Sequence, residues 1–271
     1  MTRSSSIPGR SLSLGVSLAY VSVLVLLPLS LFAATALQLS PGEALATLAD
    51  PRTLGAYRVS IIGALCAACI NAPFGAIVAW AIVRGRFRGR RALDAIVDVP
   101  FAVPTAVVGI ALASAYAPAT LAGRTLASLG LDVASGTLGV TLAMMFVSLP
   151  FAVRTVQPVL EDLDPGVEQA AASLGAGSVS TFARVILPQL LPAIATGMTL
   201  SFAKSVGEYG AVIFVAGNVP RMSEVAPLLV MVRLEEFRYA QAAIVASGLL
   251  VMSLIVLSIA NVFLSRMGRL A

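Results

Sequence analysis

Glu168 to Pro192 reads EQAAASLGAGSVSTFARVILPQLLP. This mixed passage lies between two apolar segments, 136–160 and 188–216, each long enough to cross a membrane. Asp164 can cap a helix, with Pro165 at its first position. Residues 166–174 then make about two turns carrying Ala170, Ala171 and Ala172, whose small side chains let another surface approach the backbone. Gly175 ends this helix and Ser178 opens a second one. Phe182 and Val185 turn toward the membrane, and Pro188 and Pro192 sit at the start of the next long apolar run. Nothing in the loop pairs a nucleophile with a base, cages a metal or cradles a phosphate. The residues leave two readings open, a solvated helical hairpin or a docking surface for another protein.

Composition sets the surroundings of this loop. The chain has 271 residues, 58% of them apolar and 11% charged, whereas an ordinary soluble domain carries about 25% charged residues. So much apolar surface has to face lipid or other apolar helices. The net charge of +5 is modest, and the basic residues gather at the ends of apolar runs instead of forming a stripe with aromatics. That pattern belongs to membrane proteins and argues against a nucleic-acid partner. The chain has no His, which removes the commonest general base and metal ligand. Cys66 and Cys69 form a C-x-x-C inside an apolar segment beside Ile62 and Ile70, and read as small packing residues there.

Apolar runs predict six membrane spans, at 13–37, 57–83, 94–117, 136–160, 188–216 and 240–264. The segment from Leu12 to Leu37 is uncharged throughout, long for a cleavable leader and right for a retained first span. Residues 1–12 and 265–271 are read as tails, and 161–187 as the loop between spans four and five. RGRFRGRR, Arg84 to Arg91, holds five arginines between spans two and three. The positive-inside bias makes that loop cytoplasmic, which places both termini and the 161–187 loop on the same side. Arg3, Arg10, Arg266 and Arg269 agree with this orientation. The opposite loop, Ala216 to Tyr239, is long and mixed, with Arg221, Arg233 and Arg238 accompanied by Glu224, Glu235 and Glu236. Within it PLLVMVRLEEF reads as a short amphipathic helix, lying at the interface or packed into the bundle.

The Glu168 passage resembles the cytoplasmic signature of ABC importer permeases, E-A-A-x-x-x-G-x9-I-x-L-P. Aligned on Gly175, the match runs through Gln169, Ala170 and Ala171 to Gly175, and then to Val185, Leu187 and Pro188. Gln169 stands where the motif has Glu, with Glu168 one place earlier, and Val185 stands for Ile. DVPFAVPTAVVGIAL (98–112), LPFAVRTVQPVLEDLD (149–164) and SFAKSVGEYGAVIFVAGNVP (201–220) extend the resemblance to the T-type permeases of sulfate and thiosulfate importers. GEYGAVIFVAGN, Gly207 to Asn218, discriminates best, and the molybdate permeases are close relatives with a GEFGA-like phrase. The resemblance implies an all-α membrane protein with the six-helix, type I permease fold of the MetI class. It implies that Glu168, Gln169, Ala170, Ala171, Gly175, Leu187 and Pro188 form the coupling surface for an ATP-binding subunit. It further implies a second permease subunit of the W type, and an extracytoplasmic sulfate-binding protein. In that arrangement this chain binds no cofactor, and ATP and Mg are used by the partner ATPase.

Lys204 and Glu208 lie four apart in span five, on one helix face. Each costs about 2.5–3.5 kcal/mol at a bilayer centre, so the two are expected to turn inward as a pair. The residues leave open whether they line the path or brace a helix. The related permeases usually have Arg at the Lys204 position, and Lys keeps the charge without the fork. Together with Gly207, Tyr209, Gly210 and Thr105 they make the candidate path or gate. Arg154, near the cytoplasmic end of span four, is read as an interface anchor in preference to a path residue. Asp98, Pro100 and Pro104 open span three, which the prolines kink, and Gly109 follows. Thr105, Ser114, Ser201 and Ser205 offer hydroxyl donors to an oxyanion.

Three function classes compete. A half-channel of an ATP-driven oxyanion importer accounts for the loop and for the absence of a G-x-x-x-x-G-K-[ST] phosphate loop, since ATP is then handled elsewhere. An ion-coupled secondary transporter would be expected to show inverted repeats, and none is evident. An intramembrane enzyme lacks a catalytic constellation. The expectation is a permease, not an enzyme, working by alternating access in a bacterial cytoplasmic membrane.

Overall fold

The computed structural model describes residues 10–131, 133 and 136–267, and among these the ordered elements are all helical. Arg3 and Arg269, used above for orientation, lie outside the described residues, as do parts of both tails. The first helix runs as α1 (Arg10–Val21) and α2 (Leu27–Ala36) through a π-helical turn at Ser22–Leu26. Ser40 and Glu43 close a reciprocal cap on α3 (Pro41–Ala49), leaving few amide groups unsatisfied at its start. Pro51 then opens α4 (Pro51–Arg84). Next come α5 (Arg90–Ala102), α6 (Thr105–Ala115), α7 (Leu121–Ser128) and α8 (Thr137–Asp162). The second half holds α9 (Pro165–Ser173), α10 (Ser178–Thr181), a π-helical turn at Phe182–Ile186 and α11 (Leu187–Val206). The chain ends with α12 (Val212–Val215), α13 (Ala226–Glu235) and α14 (Tyr239–Met267).

Helices α4, α8 and α11 form the centre. Along α4 one face carries small residues, including Ala56, Ser60, Ala64, Ala67, Asn71 and Ala79, and these are buried. Lipid gives no hydrophobic push between helices, so close backbone approach and interhelical hydrogen bonds hold them together. Gly75 shows the approach: a Cβ built there would lie 2.7 Å from the Ala152 Cβ on α8. Halfway along, Asn71 Nδ2 donates to the Met145 carbonyl at 2.9 Å, to Ser148 Oγ at 2.9 Å and to Ser201 Oγ at 3.3 Å. Ser201 donates to Ser148 at 2.8 Å. One polar cluster thus ties three helices where an unmet amide would cost several kcal/mol, on the order of a lost bond in an apolar solvent. Apolar layers flank it, with Met144, Val147 and Phe202 on one side and Val156, Leu160 and Leu190 on the other.

Among the described residues, five helical stretches are long and apolar enough to cross a membrane, and a sixth crossing arises if α5 and α6 count as one. That pair is bent by 112° at Val103–Pro104, so the predicted span 94–117 is two half-helices instead of one kinked rod. Pro104 lacks an N–H and drives Val103 into extended geometry, seen in its ψ of 132°. The predicted span 188–216 is also divided: α11 stops at Val206 and α12 restarts at Val212. Cys66 and Cys69 are free thiols on the exposed side of α4. Their spacing of three puts them with Ile62 and Ile70 on the face away from α8, so they do not serve the helix packing expected of them. The segment expected to form an amphipathic helix is α13. It packs into the bundle through Ala226, Leu228 and Leu229.

Candidate functional site

The loop between α8 and α11 follows its local sequence signals. Asp164 Oδ1 accepts the Gly166 N–H at 2.8 Å, which caps α9. Gly175 has φ +83°, the left-handed geometry that a helix end reserves for glycine. The Gly175 and Ala176 amides donate back to the Ala172 and Ala171 carbonyls, each at 3.0 Å. None of the described side chains of α9 is buried. Gln169 and Ala170 are exposed and Ala171 is half-buried, while Leu174 and Val179 stand 89% and 83% exposed. Large apolar side chains held this far into the open, on a loop with an ordered backbone, make a surface suited to another protein. Beyond them the chain re-enters the bundle: Thr181 and Ile186 are buried, Leu187 is half-buried and Pro188 exposed. Phe182 meets Trp80 edge to face at 5.3 Å, on the wall of an apolar groove of 680 Å³ between α4 and α11.

Glu168 behaves differently from its neighbours. It turns back into the chain, where Arg84 Nε donates to its Oε1 at 3.0 Å. Sequence reading singled out Glu168 without this partner, which lies 84 positions away.

The candidate path residues also gather, at the two breaks. Lys204 Nζ lies 2.9 Å from Glu208 Oε2. The Ala211 N–H donates to Glu208 Oε1 at 3.1 Å. Glu208 is 2% exposed, so its buried carboxylate serves at once as the ion partner of Lys204 on α11 and as the acceptor for the Ala211 amide just before α12. Gly207, half-buried Tyr209 and Gly210 form the bend between them. A Cβ at Gly210 would collide with the Thr105 hydroxyl, and one at Gly109 with the Ala211 backbone. The break between α11 and α12 therefore rests directly on the first turns of α6, below its own break. Of the four expected donors, Ser201 and Ser205 are engaged internally, Ser205 Oγ reaching the Met144 carbonyl at 3.4 Å. Thr105 lies at the junction, and Ser114 is exposed away from it.

Two arginines do more than their sequence positions indicate. Arg154 on α8 grips Asp98 at 2.9 and 2.6 Å, Asp94 Oδ1 at 2.6 Å and the Asp94 carbonyl at 3.0 Å. It fastens α5 to α8, and the spacing of Asp94 and Asp98 on one helix face was the available signal. At the other end of the bundle, Arg52 donates to both oxygens of Glu224 at 2.8 and 2.7 Å. Ser60 Oγ accepts the Ala226 N–H at 2.8 Å, so the 216–239 loop is fixed to α4 beside the start of α13.

Residues 71–269 match the family model described as the binding-protein-dependent transport system inner membrane component. The chain belongs to this family. Among individual proteins it is 45% identical over 263 residues to the sulfate transport system permease protein CysT of Escherichia coli strain K12, covering 97% of this chain and 95% of that one. It is 42% identical over 256 residues to the CysT protein of Synechocystis, covering 94% and 88%. Among solved structures, a bacterial ABC transporter for import of the polysaccharide alginate superposes with a TM-score of 0.78 at 16% identity, covering 94% of each chain. The MetNI methionine ABC transporter superposes with a TM-score of 0.57 at 16% identity, covering 85% of this chain and 98% of that one. At that identity the likeness is one of fold, and the fold is that of the MetI-like ABC permeases. The relatives are permease subunits of transport systems, not enzymes.

Proposed function

We propose that this chain is one of two transmembrane subunits of an ATP-driven importer that passes sulfate and thiosulfate across the bacterial inner membrane. The observation that carries the substrate is the 45% identity over 97% of the chain to a sulfate permease. The loop 161–187 is the docking element for a separate ATP-binding subunit, through Gln169, Ala170, Ala171 and Gly175, with Leu187 and Pro188 leading its motion into α11. The exposed Leu174 and Val179 support this reading. The Arg84–Arg91 run supports placing the loop and both termini in the cytoplasm.

The other subunits follow from the same reading. A W-type permease completes the path, and an extracytoplasmic sulfate-binding protein supplies the ion on the side of the 216–239 loop. One of the solved neighbours, the bacterial alginate ABC transporter, was determined in complex with an alginate pentasaccharide-bound periplasmic protein. ATP and Mg belong to the ATP-binding subunit. Closure of two ATP-binding subunits pushes the docking helices, and the path opens outward to take the ion; hydrolysis resets it.

The path runs past the junction of the two broken spans, where Thr105, Lys204, Gly207, Glu208, Tyr209 and Gly210 lie together. Breaks in helices are suited to this role because freed backbone groups and helix ends can meet an ion without a dedicated charge. Weak holding lets the ion leave.

Radiolabelled sulfate uptake tests the proposal, in cells lacking this chain, with and without its restoration, and with excess unlabelled molybdate. Restored uptake that resists molybdate is expected. Failure to restore sulfate uptake, with recovery of molybdate uptake, would move the substrate to molybdate and leave the fold and the docking loop in place.

A further inference from the structure

Helix α9 has a fixed direction and no buried side chain among those described to hold it. Its cap orders its first turn and Gly175 closes its end, but neither attaches it to the membrane bundle. Arg84, the last residue of α4, makes that attachment. Nη2 donates to the Leu163 carbonyl at 2.7 Å and Nε to Glu168 Oε1 at 3.0 Å. Leu163 precedes the Asp164 cap and Glu168 lies in the first turn after it. One planar guanidinium therefore spans the entry to α9, with charge-assisted bonds to a carboxylate and a carbonyl. The other arginines of the run, Arg86, Arg88, Arg90 and Arg91, are exposed, while Arg84 keeps a side chain only 20% exposed. One member of an orientation-setting cluster thus has a second and specific task.

We propose that Arg84 is a positioning residue for coupling: it fixes the docking helix to α4, so that movement of the ATP-binding subunit against α9 is delivered to the bundle. Glu168 is then a brace within the chain, with its carboxylate turned away from the partner. This rests on the reading of α9 as the docking helix. A brace of this kind alters how much import each hydrolysis event yields, more than whether the subunits assemble.

The test uses the whole importer in liposomes, with this chain, its partner permease, the ATP-binding subunits and the binding protein. ATP hydrolysed per sulfate imported is the readout. Arg84→Ala and Glu168→Arg are expected to insert and to retain the ATP-binding subunits while the ratio rises about five-fold or more. Arg84→Lys, which keeps the charge and loses the fork, should fall between. The exchange Arg84→Glu with Glu168→Arg should recover part of the ratio, because opposite charges again face each other, without the bond to the Leu163 carbonyl. A merely structural role would lower yield and leave the ratio unmoved. Wild-type ratios in both Arg84→Ala and Glu168→Arg overturn the inference. If Arg84→Ala does not accumulate, the exchange decides: a ratio improved over Glu168→Arg alone supports the brace, and no improvement overturns it. Ala170→Trp, on the exposed side of α9, reports on docking itself. Release of the ATP-binding subunits by Ala170→Trp beside a wild-type ratio in Arg84→Ala removes the Arg84 inference alone. Full retention and normal coupling in Ala170→Trp removes the docking reading, and the inference with it.

Discussion

At one end of α4, Arg52 holds Glu224 through both carboxylate oxygens, at 2.8 and 2.7 Å, and Glu224 is 1% exposed. At the other end Arg84 holds Glu168 through a single 3.0 Å bond, with the glutamate side chain 29% exposed. The helix between them has 34 residues, about 50 Å of rise. The same pair of residue types joins a loop to one helix at both ends, in two settings. The 216–239 loop is built into the bundle: Val225, Ala226 and Leu229 are fully buried. The 161–187 loop keeps Leu174 and Val179 outside. One loop is completed by this chain, and the other offers apolar surface that this chain leaves uncovered.

The sharpest way to break this comparison is at Arg52. Arg52→Ala leaves a carboxylate buried without its partner, which costs about 3–5 kcal/mol. Thermal unfolding of the detergent-solubilised protein should show a large loss, and Glu224→Gln a smaller one. Replacing both residues by Leu should recover part of the loss, since no charge is then buried. A mild effect of Arg52→Ala would make the two ends of α4 equivalent after all.

A second variant tests the region between the ends. Gly109→Ala puts a methyl group where the Ala211 backbone lies. Crowding of a packed contact costs about 1–3 kcal/mol, here at the junction of the two breaks. Sulfate uptake should fall further than the yield of inserted protein does. Equal uptake per inserted molecule would separate the junction from the path.

Glu208→Gln comes next. The carboxamide can still accept the Ala211 N–H but loses its charge against Lys204. Its single oxygen cannot serve both partners: with the Ala211 N–H kept, the NH2 faces Lys204 and that bond is lost, at about 1 kcal/mol for a partly exposed ammonium, so insertion and assembly should survive and sulfate uptake should drop. Normal uptake would confine the pair to bracing the bend between α11 and α12.

How much of this was legible in the sequence depended on chain separation. Asp164, Pro165 and Gly175 announce the two ends of α9 because capping is decided within a few residues. Lys204 and Glu208 could be paired from a spacing of four. Leu174 and Val179 stood in the quoted passage, but nothing local says that they point outward. The partner of Glu168 could not be read, because that bond bridges 84 positions; Asp94 and Asp98 announce a shared acidic face, but their spacing does not name Arg154, 56 positions from Asp98. The end of α11 at Val206 was hidden by composition. VIFVA continues the apolar run to residue 216, and hydropathy does not register that Gly207 and Gly210 let the backbone turn. Pro104 signalled a disturbance in span three, yet a bend of 112° needs the packing of α6 on α12 to hold it.

The smallest expected effect on folding belongs to the loop that the chain leaves uncovered, and it carries the comparison furthest. Leu174→Glu places a charge on a side chain already 89% exposed. Its Cα lies just before Gly175, where the helix has ended and no packing is lost, so stability should change by less than about 0.5 kcal/mol. The ATP-binding subunit would meet a carboxylate on a patch whose other exposed residues, among them Gln169, Ala170, Gly175 and Val179, carry no cation, and a charge buried in such a contact without a partner is strongly unfavourable. Copurification of that subunit should therefore fall, while the melting temperature of this chain stays where it was. Substitutions at Arg52 do the reverse, unfolding the chain before any partner is involved. If Leu174→Glu lowered the melting temperature as Arg52→Ala does, Leu174 would belong to the fold, and the exposed loop would be one more part of the bundle.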